Sequence, residues 1–118
     1  MSRLEDVAYK PATNTAVVPS AANGIGTVTI PAPAAGQRIY ICGYTLSYNL
    51  AVATAHVPDI VSGALVVERM QVLVGTVLPL NADFAKGVEC PAATSCVITC
   101  PAAGASVVST FVVRYFIA

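Results

Sequence analysis

One histidine, six carboxylates and four cysteines are the side chains of this sequence that could do chemistry. His56 has Asp59 three residues on, which superficially suggests part of a nucleophilic triad. The pair sits in a segment broken by Pro58, however, and no G-x-S-x-G elbow occurs anywhere in the chain. The expected role of His56 is that of a loop histidine at the surface or at an interface, with titration near neutral pH as its only chemistry. A glycosidase needs two facing carboxylates, and no spacing among Glu5, Asp6, Asp59, Glu68, Asp83 and Glu89 selects a pair. Glu68 and Arg69 are adjacent in an extended stretch and so fall on opposite faces, as solvent or interface contacts.

The cysteines are Cys42, Cys90, Cys96 and Cys100. Zinc sites pair their ligands in short knuckles, whereas here the spacing is C-x5-C-x3-C beside a single histidine. On a regular strand Cys96 and Cys100 share a face about 13 Å apart, too far to bridge. Cys90 with Cys96 or Cys100 stays geometrically open. The expectation is small buried apolar side chains, with no metal and no cofactor. Asn23-Gly24-Ile25-Gly26 lacks the preceding strand and third glycine of a dinucleotide fingerprint. With no tryptophan in the chain, a carbohydrate-stacking platform is poorly supported. Tyr40, Tyr44 and Tyr48 are expected on one strand face, in the core or at a subunit interface. Taken together, these residues point away from an enzyme.

The composition fits that conclusion. Charged residues make up 10% of the chain and hydrophobic residues 56%, against about 25% charged in an average domain. A surface so poor in charge is expected to be covered by other chains. The net charge is zero and the basic residues Arg3, Lys10, Arg38, Arg69, Lys86 and Arg114 are scattered singly. No basic stripe of the kind nucleic-acid binders show is present, so no nucleic-acid partner is expected. Mean hydropathy is high, at +0.73, but the long uncharged stretch from Cys90 to Val113 is interrupted by Pro91, Pro101 and Gly104. It is no spanning helix, and no membrane partner is expected. The opening residues, Met1 to Asp6, bring acids where a signal peptide would turn apolar, which places synthesis in the cytoplasm.

The elements that would hold these residues read as strands. Residues 1–24 carry Arg3, Glu5, Asp6 and Lys10, then a Pro/Ala/Thr/Asn run with Pro11, Pro19 and Asn23-Gly24 that discourages regular structure. This is expected to be an arm, with Leu4, Val7, Tyr9 and Lys10 as candidate contacts to a neighbouring subunit. Residues 25–118 are expected to form one domain of seven to nine strands separated by Pro/Gly turns. The expected strands are 26–30, 38–49, 51–55, 64–74 (broken at Glu68-Arg69), 76–80, 84–89, 95–100 and 107–117. Gly43 is expected to mark a bend or bulge. In the last strand Val107, Phe111, Val113, Tyr115 and Ile117 share one face. No segment has a helical period. The fold class is all-β: an antiparallel β-sandwich, jelly-roll-like, with an extended N-terminal arm. The tetrapeptide Pro-Ala-Ala-Gly at 33–36 and 101–104 reads as repeated turn chemistry.

From Pro33 to Ala118 the chain resembles a group of small bacteriophage virion proteins with a jelly-roll-like sandwich. The resemblance is carried by Ala-Ala-Gly-Gln-Arg-Ile-Tyr-Ile at 34–41, the Ser62-Gly63 turn, Gly-Thr-Val-Leu-Pro-Leu at 75–80, Phe-Ala-Lys-Gly-Val at 84–88 and Val-Val-Arg-Tyr-Phe-Ile at 112–117. It covers about three-quarters of the chain and is a pattern of strands and turns. It implies a capsid decoration or cement protein, a homo-oligomer and commonly a trimer, seated on the major capsid protein of the virion, with no catalytic residues. The sandwich edges and the arm are expected to offer backbone groups for strand addition between chains. A tail, neck or fibre component of the virion, and a surface binding module, are the rival readings.

Overall fold

The computed structural model describes residues 12–18, 21–77 and 79–118. These residues form eight strands and no helix: β1 Asn14–Val18, β2 Gly26–Ile30, β3 Ile39–Tyr48, β4 Asp59–Ser62, β5 Leu65–Arg69, β6 Leu80–Glu89, β7 Cys96–Cys100 and β8 Ser109–Ile117. They make two antiparallel four-stranded sheets, in the orders β1-β8-β3-β6 and β2-β7-β4-β5. The protein is thus the β-sandwich that its strand spacing predicts. β1 lies beside β8, β2 beside β7, β3 beside β6 and β4 beside β5. The chain is therefore a long antiparallel ribbon folded back at the Gly63-Ala64 turn. Only the β4–β5 connection stays within a sheet; every other one crosses between the two.

The alternation of buried and exposed residues explains why the sheets face each other. In β7, Cys96, Ile98 and Cys100 are buried and point inward. In β8, Ser109, Phe111 and Val113 do so, and in β2, Ile30. Strand residues two apart share a face, so each of these strands lends one side to a single core. Tyr44 closes the core with its ring edge-on to Phe111, centroids 5.8 Å apart at 80°, a favoured aromatic geometry.

In β3 that alternation breaks and restarts. Ile39 and Ile41 point inward, as do Tyr44 and Leu46, although an unbroken strand would place the two pairs on opposite faces. The break is a bulge: Ile41 pairs with Tyr115 and Gly43 with Arg114, leaving Cys42 as the extra residue. On the other side of β3 the disruption is larger. Ile41 pairs with Val88 but Gly43 with Asp83, so residues 84–87 of β6 stand opposite Cys42 alone. The three tyrosines expected on one face are therefore separated. Tyr40 lies on the outer face, stacked on Phe116 at 4.7 Å and 6°, while Tyr44 is in the core. The stacking buries Phe116 on the outside of the sheet.

The bulge has a dedicated partner. Arg114 reaches across the outer face of β3. It donates from Nη2 to the Tyr44 carbonyl at 3.4 Å, the Ala82 carbonyl at 3.3 Å and Asp83 Oδ1 at 3.2 Å, and from Nη1 to Thr45 Oγ1 at 3.1 Å. One guanidinium thus ties β8, β3 and β6 together where their ladder is irregular. This close approach requires a glycine at 43, because a Cβ there would run into the Ala82 carbonyl oxygen and lie 2.8 Å from Arg114 Nη2.

Several expectations are corrected. Residues 14–18 were assigned to the arm, but they form β1. Proline and threonine around them suggested an irregular segment, yet Ala16 and Val18 alternate into the core against Val113 and Phe111 of β8. β4 begins directly after Pro58, where only a turn was expected. A proline is tolerated at that boundary because the ladder needs no N–H from it. Residues 51–55 form no strand: only Val52 is buried among exposed neighbours, and its backbone bonds go to a loop. The strand expected at 64–74 ends at Arg69, and the one expected at 76–80 contributes only Leu80, the first residue of β6.

Between the sheets the Tyr44 hydroxyl donates to Glu68 Oε2 of β5 at 3.2 Å. Glu68 thus faces inward and Arg69 outward, on opposite faces as expected. Burial, and then the Glu68 charge, push the Tyr44 phenol from its usual 10.0 up to about 12. Because the folded state holds this proton more tightly than the unfolded chain, the stabilisation is intact below pH 10 and is lost as pH rises through about 12. Denaturant titrations across that window should show stability falling, and Tyr44→Phe should flatten the fall. For the bulge, Gly43→Ala should lower the denaturation midpoint with an unchanged slope, a loss of about 1–3 kcal/mol typical of overpacking.

Candidate interaction surface

The winding of the ribbon sends four connections to one end of the sandwich. Their described residues are 21–25 between β1 and β2, 49–58 between β3 and β4, 70–77 and 79 between β5 and β6, and 101–108 between β7 and β8. Because β1 runs parallel to β3, and β6 and β8 run against them, all four meet side by side.

They are fastened to one another through the backbone. Asn23 N donates to the Val107 carbonyl at 3.3 Å, and Asn49 N to the Val108 carbonyl at 3.1 Å. Ala53 N and Thr54 N both donate to the Ala103 carbonyl at 2.9 Å. Val52 N donates to the Thr76 carbonyl at 2.9 Å and Gly75 N to the Val52 carbonyl at 2.8 Å. His56 and Val72 exchange two bonds. Asn49 adds its side chain, accepting from Val108 N at 2.7 Å. Gly104 is pressed onto this lacing: at a φ of +118° it lies so near Ala53 that a Cβ would come 2.5 Å from the Ala53 Cβ. The other Pro-Ala-Ala-Gly copy does a different job. It forms an open turn at the opposite end, closed by Gln37 N donating to the Ala34 carbonyl at 3.0 Å, with nothing near Gly36.

His56 is buried beneath this end, contrary to the expected surface position. Its Nδ1 lies 2.8 Å from the Thr54 carbonyl and its Nε2 2.8 Å from the Tyr48 hydroxyl. A carbonyl only accepts, so Nδ1 donates to Thr54, while Nε2 shares a hydrogen bond with the Tyr48 hydroxyl. The imidazole is thereby a strut between β3 and its outgoing loop. Asp59, its suggested companion, instead faces Arg69 at 3.4 Å.

The large side chains this end exposes are mostly apolar, among smaller polar ones such as Asn23, Asn49 and Ser106. Ile25 is 72% exposed, Val74 65% and Leu73 61%; Leu50 and Val77 are more than half exposed, and Val57 somewhat less. The other large exposed apolar residues, Val17, Val66 and Ile117, lie on strands. None of the four connections contains Asp, Glu, Lys or Arg. The described ion pairs lie on the sheets and at the opposite end: Arg38 with Glu89, Arg69 with Asp59 and Arg114 with Asp83.

The arm candidates Leu4, Val7, Tyr9 and Lys10 lie outside the described residues. Sequence reasoning missed the surface itself, because its apolar residues come from four separate loops and were read as strand or core positions. None of the four cysteines is in a disulfide: Cys90, Cys96 and Cys100 are buried and Cys42 is half-buried. A hydrogen bond from the Cys96 thiol holds Cys90 below the usual thiol range against its burial; the same bond, then burial, push Cys96 up. Cys100 donates to Ser109 Oγ at 3.3 Å. Among the described residues no group of three or more His, Cys, Asp or Glu could hold a metal, and no helix is long and apolar enough to cross a membrane.

The arrangement defines a class: an antiparallel β-sandwich with a braced, uncharged, apolar loop end. Comparison with protein-family models, curated proteins and solved structures returns no match.

Removing the Tyr48 hydroxyl should leave His56 Nε2 without its hydrogen-bond partner. Tyr48→Phe is expected to cost about 1–3 kcal/mol and to raise amide exchange at Thr54 and His56 more than in the sheets, as read by hydrogen exchange.

Proposed function

We propose that this protein is a structural subunit of a virion, of the capsid decoration or cement type, which associates with copies of itself and seats on the major capsid protein. The observation that carries the reading is the apolar loop end. Six large apolar side chains are exposed at this one end, and large exposed apolar areas mark interaction sites. Two further features support it. The ribbon pairing of β1 with β8, β2 with β7, β3 with β6 and β4 with β5 supports a jelly-roll reading of the sandwich. The scarcity of charge, 10% of all residues, suits a subunit whose surface is largely covered in symmetric contacts.

In this role each copy bridges neighbouring capsid subunits, and the burial summed over many copies holds the shell against internal pressure. The test is heat resistance. Particles stripped of the protein should release their nucleic acid at a temperature several degrees below particles that retain it, and adding back purified protein should restore the difference. Equal release temperatures would remove the cementing role.

A further inference from the structure

We propose that Cys90 and Cys96 are an oxidation site: peroxide converts the pair to a disulfide that joins the two sheets covalently and stabilises the sandwich. The inference stands apart from the assembly reading above, since it concerns one chain alone.

The strand order brings this pair together. Cys90 follows β6 directly and stays on the β1-β8-β3-β6 sheet. Its N donates to the Ile39 carbonyl at 2.9 Å, and its own carbonyl accepts from Arg38 Nη1 at 3.2 Å. Cys96 opens β7 in the other sheet, paired with Ile30. Ser62 ends β4 one step beyond the Val61–Val97 pair, which sets it beside Cys96. All three side chains are buried, and the Cys90 thiol is hydrogen-bonded across the sandwich to both Cys96 and Ser62. Both backbones are held, so the sulfurs have only to move from hydrogen-bond contact to bonding distance. The other thiols are engaged elsewhere. Cys100 donates to Ser109 Oγ at 3.3 Å and stands about 13 Å from Cys96 along the strand. Cys42 lies at the β3 bulge, with its thiol toward the Tyr40 carbonyl.

Burial sets the oxidant. The pair lies under the connection 91–95, which is pinned by Ala93 N donating to the Gln37 carbonyl at 2.8 Å. A molecule little larger than water reaches it through a small opening, whereas a bulky disulfide reagent needs the whole connection displaced. The bond from Cys96 holds Cys90 below the usual thiol range, and the same bond, then burial, push Cys96 up. Cys90 is therefore the sulfur that reacts first and Cys96 the one that resolves. The Cys90 thiolate attacks one oxygen of hydrogen peroxide, the O–O bond breaks, and a sulfenic acid and hydroxide form. The hydroxide takes the Cys96 proton and becomes water. The Cys96 thiolate attacks the Cys90 sulfur, the S–O bond breaks, and the second hydroxide leaves with the proton Cys90 first gave up. Two thiols and one peroxide thus give one disulfide and two waters. The sulfurs lose two electrons, and the peroxide oxygens gain them.

The experiment treats the folded full chain with hydrogen peroxide, quenches it, and counts thiols after denaturation. Two of the four thiols should disappear, with a loss of two hydrogens in mass, and dithiothreitol should restore both. Fragmentation of the tryptic peptide 87–114 should place the bond between Cys90 and Cys96 and leave Cys100 alkylated. Cys42→Ser combined with Cys100→Ala, which keeps only this pair, should oxidise like the wild type, whereas Cys90→Ser should lose none of its remaining thiols. The oxidised chain should melt several degrees above the reduced one, a modest shift because the loop closed, 90–96, is short. The wild-type mapping and melting decide the matter even where a variant fails to fold. A folded wild type that keeps all its thiols while the denatured chain reacts overturns the inference. So does a bond to Cys42 or Cys100, a bond between chains on a non-reducing gel, or a gain of oxygen without a bond. An oxidised form that melts below the reduced one also overturns it, since the link then strains the sandwich.

Discussion

A single extra residue in β3, Cys42, lets one long strand serve one core. Without the bulge, a core that accepted Ile39 and Ile41 would send Tyr44 and Leu46 to solvent. The bulge resets the count, so all four face the second sheet. Much follows from that reset. Tyr44 reaches Glu68 across the sandwich, and Arg114 finds the Tyr44 and Ala82 carbonyls that the distorted ladder presents. The arginine and the missing side chain at Gly43 are one device: the guanidinium occupies the space a Cβ would need.

The two ends of the sandwich divide polar and apolar work. At the loop end, hydrogen bonds run between loops and are largely backbone to backbone, which leaves side chains free to be apolar without stranding buried N–H or C=O groups. The buried polar side chains beneath it are matched in the same way: His56 by Thr54 and Tyr48, and Ser109 by Cys100. Among the described residues no buried side-chain nitrogen or oxygen lacks a partner. The outer faces of the sheets hold the Arg114–Asp83 and Arg69–Asp59 pairs, and Arg38–Glu89 lies toward the far end. These are partly or largely exposed, so they contribute more to solubility than to stability.

The legible part of the fold was the part with uninterrupted alternation. Residues 26–30, 96–100 and 109–117 form strands much as their pattern of Val, Ile, Thr and Cys predicts, and Gly43 stood out as a break in a run of strand-forming residues. The break's effect on Tyr44 and Tyr48 was not legible, because a one-residue shift inverts every later side chain and leaves no trace in composition. β1 escaped notice for a different reason. Its inward residues are only Ala16 and Val18, and their value depends on β8, about a hundred positions away in the chain. The interaction surface was least legible, since Ile25, Leu50, Leu73 and Val74 come to one end of the sandwich only once the ribbon is wound.

The winding also sets an order on the birth of the molecule. β8 is the last of the eight strands in sequence order, yet it lies inside its sheet, with β1 on one side and β3 on the other. Until residues 109–117 emerge, β1 has no ladder to join and β3 lacks its partner on that flank, so the nascent chain must wait with apolar strand edges uncovered. Such long-range pairing makes folding slow and exposes it to aggregation. The sandwich therefore closes only once β8 is available, and its yield in a cell depends on how well that interval is protected.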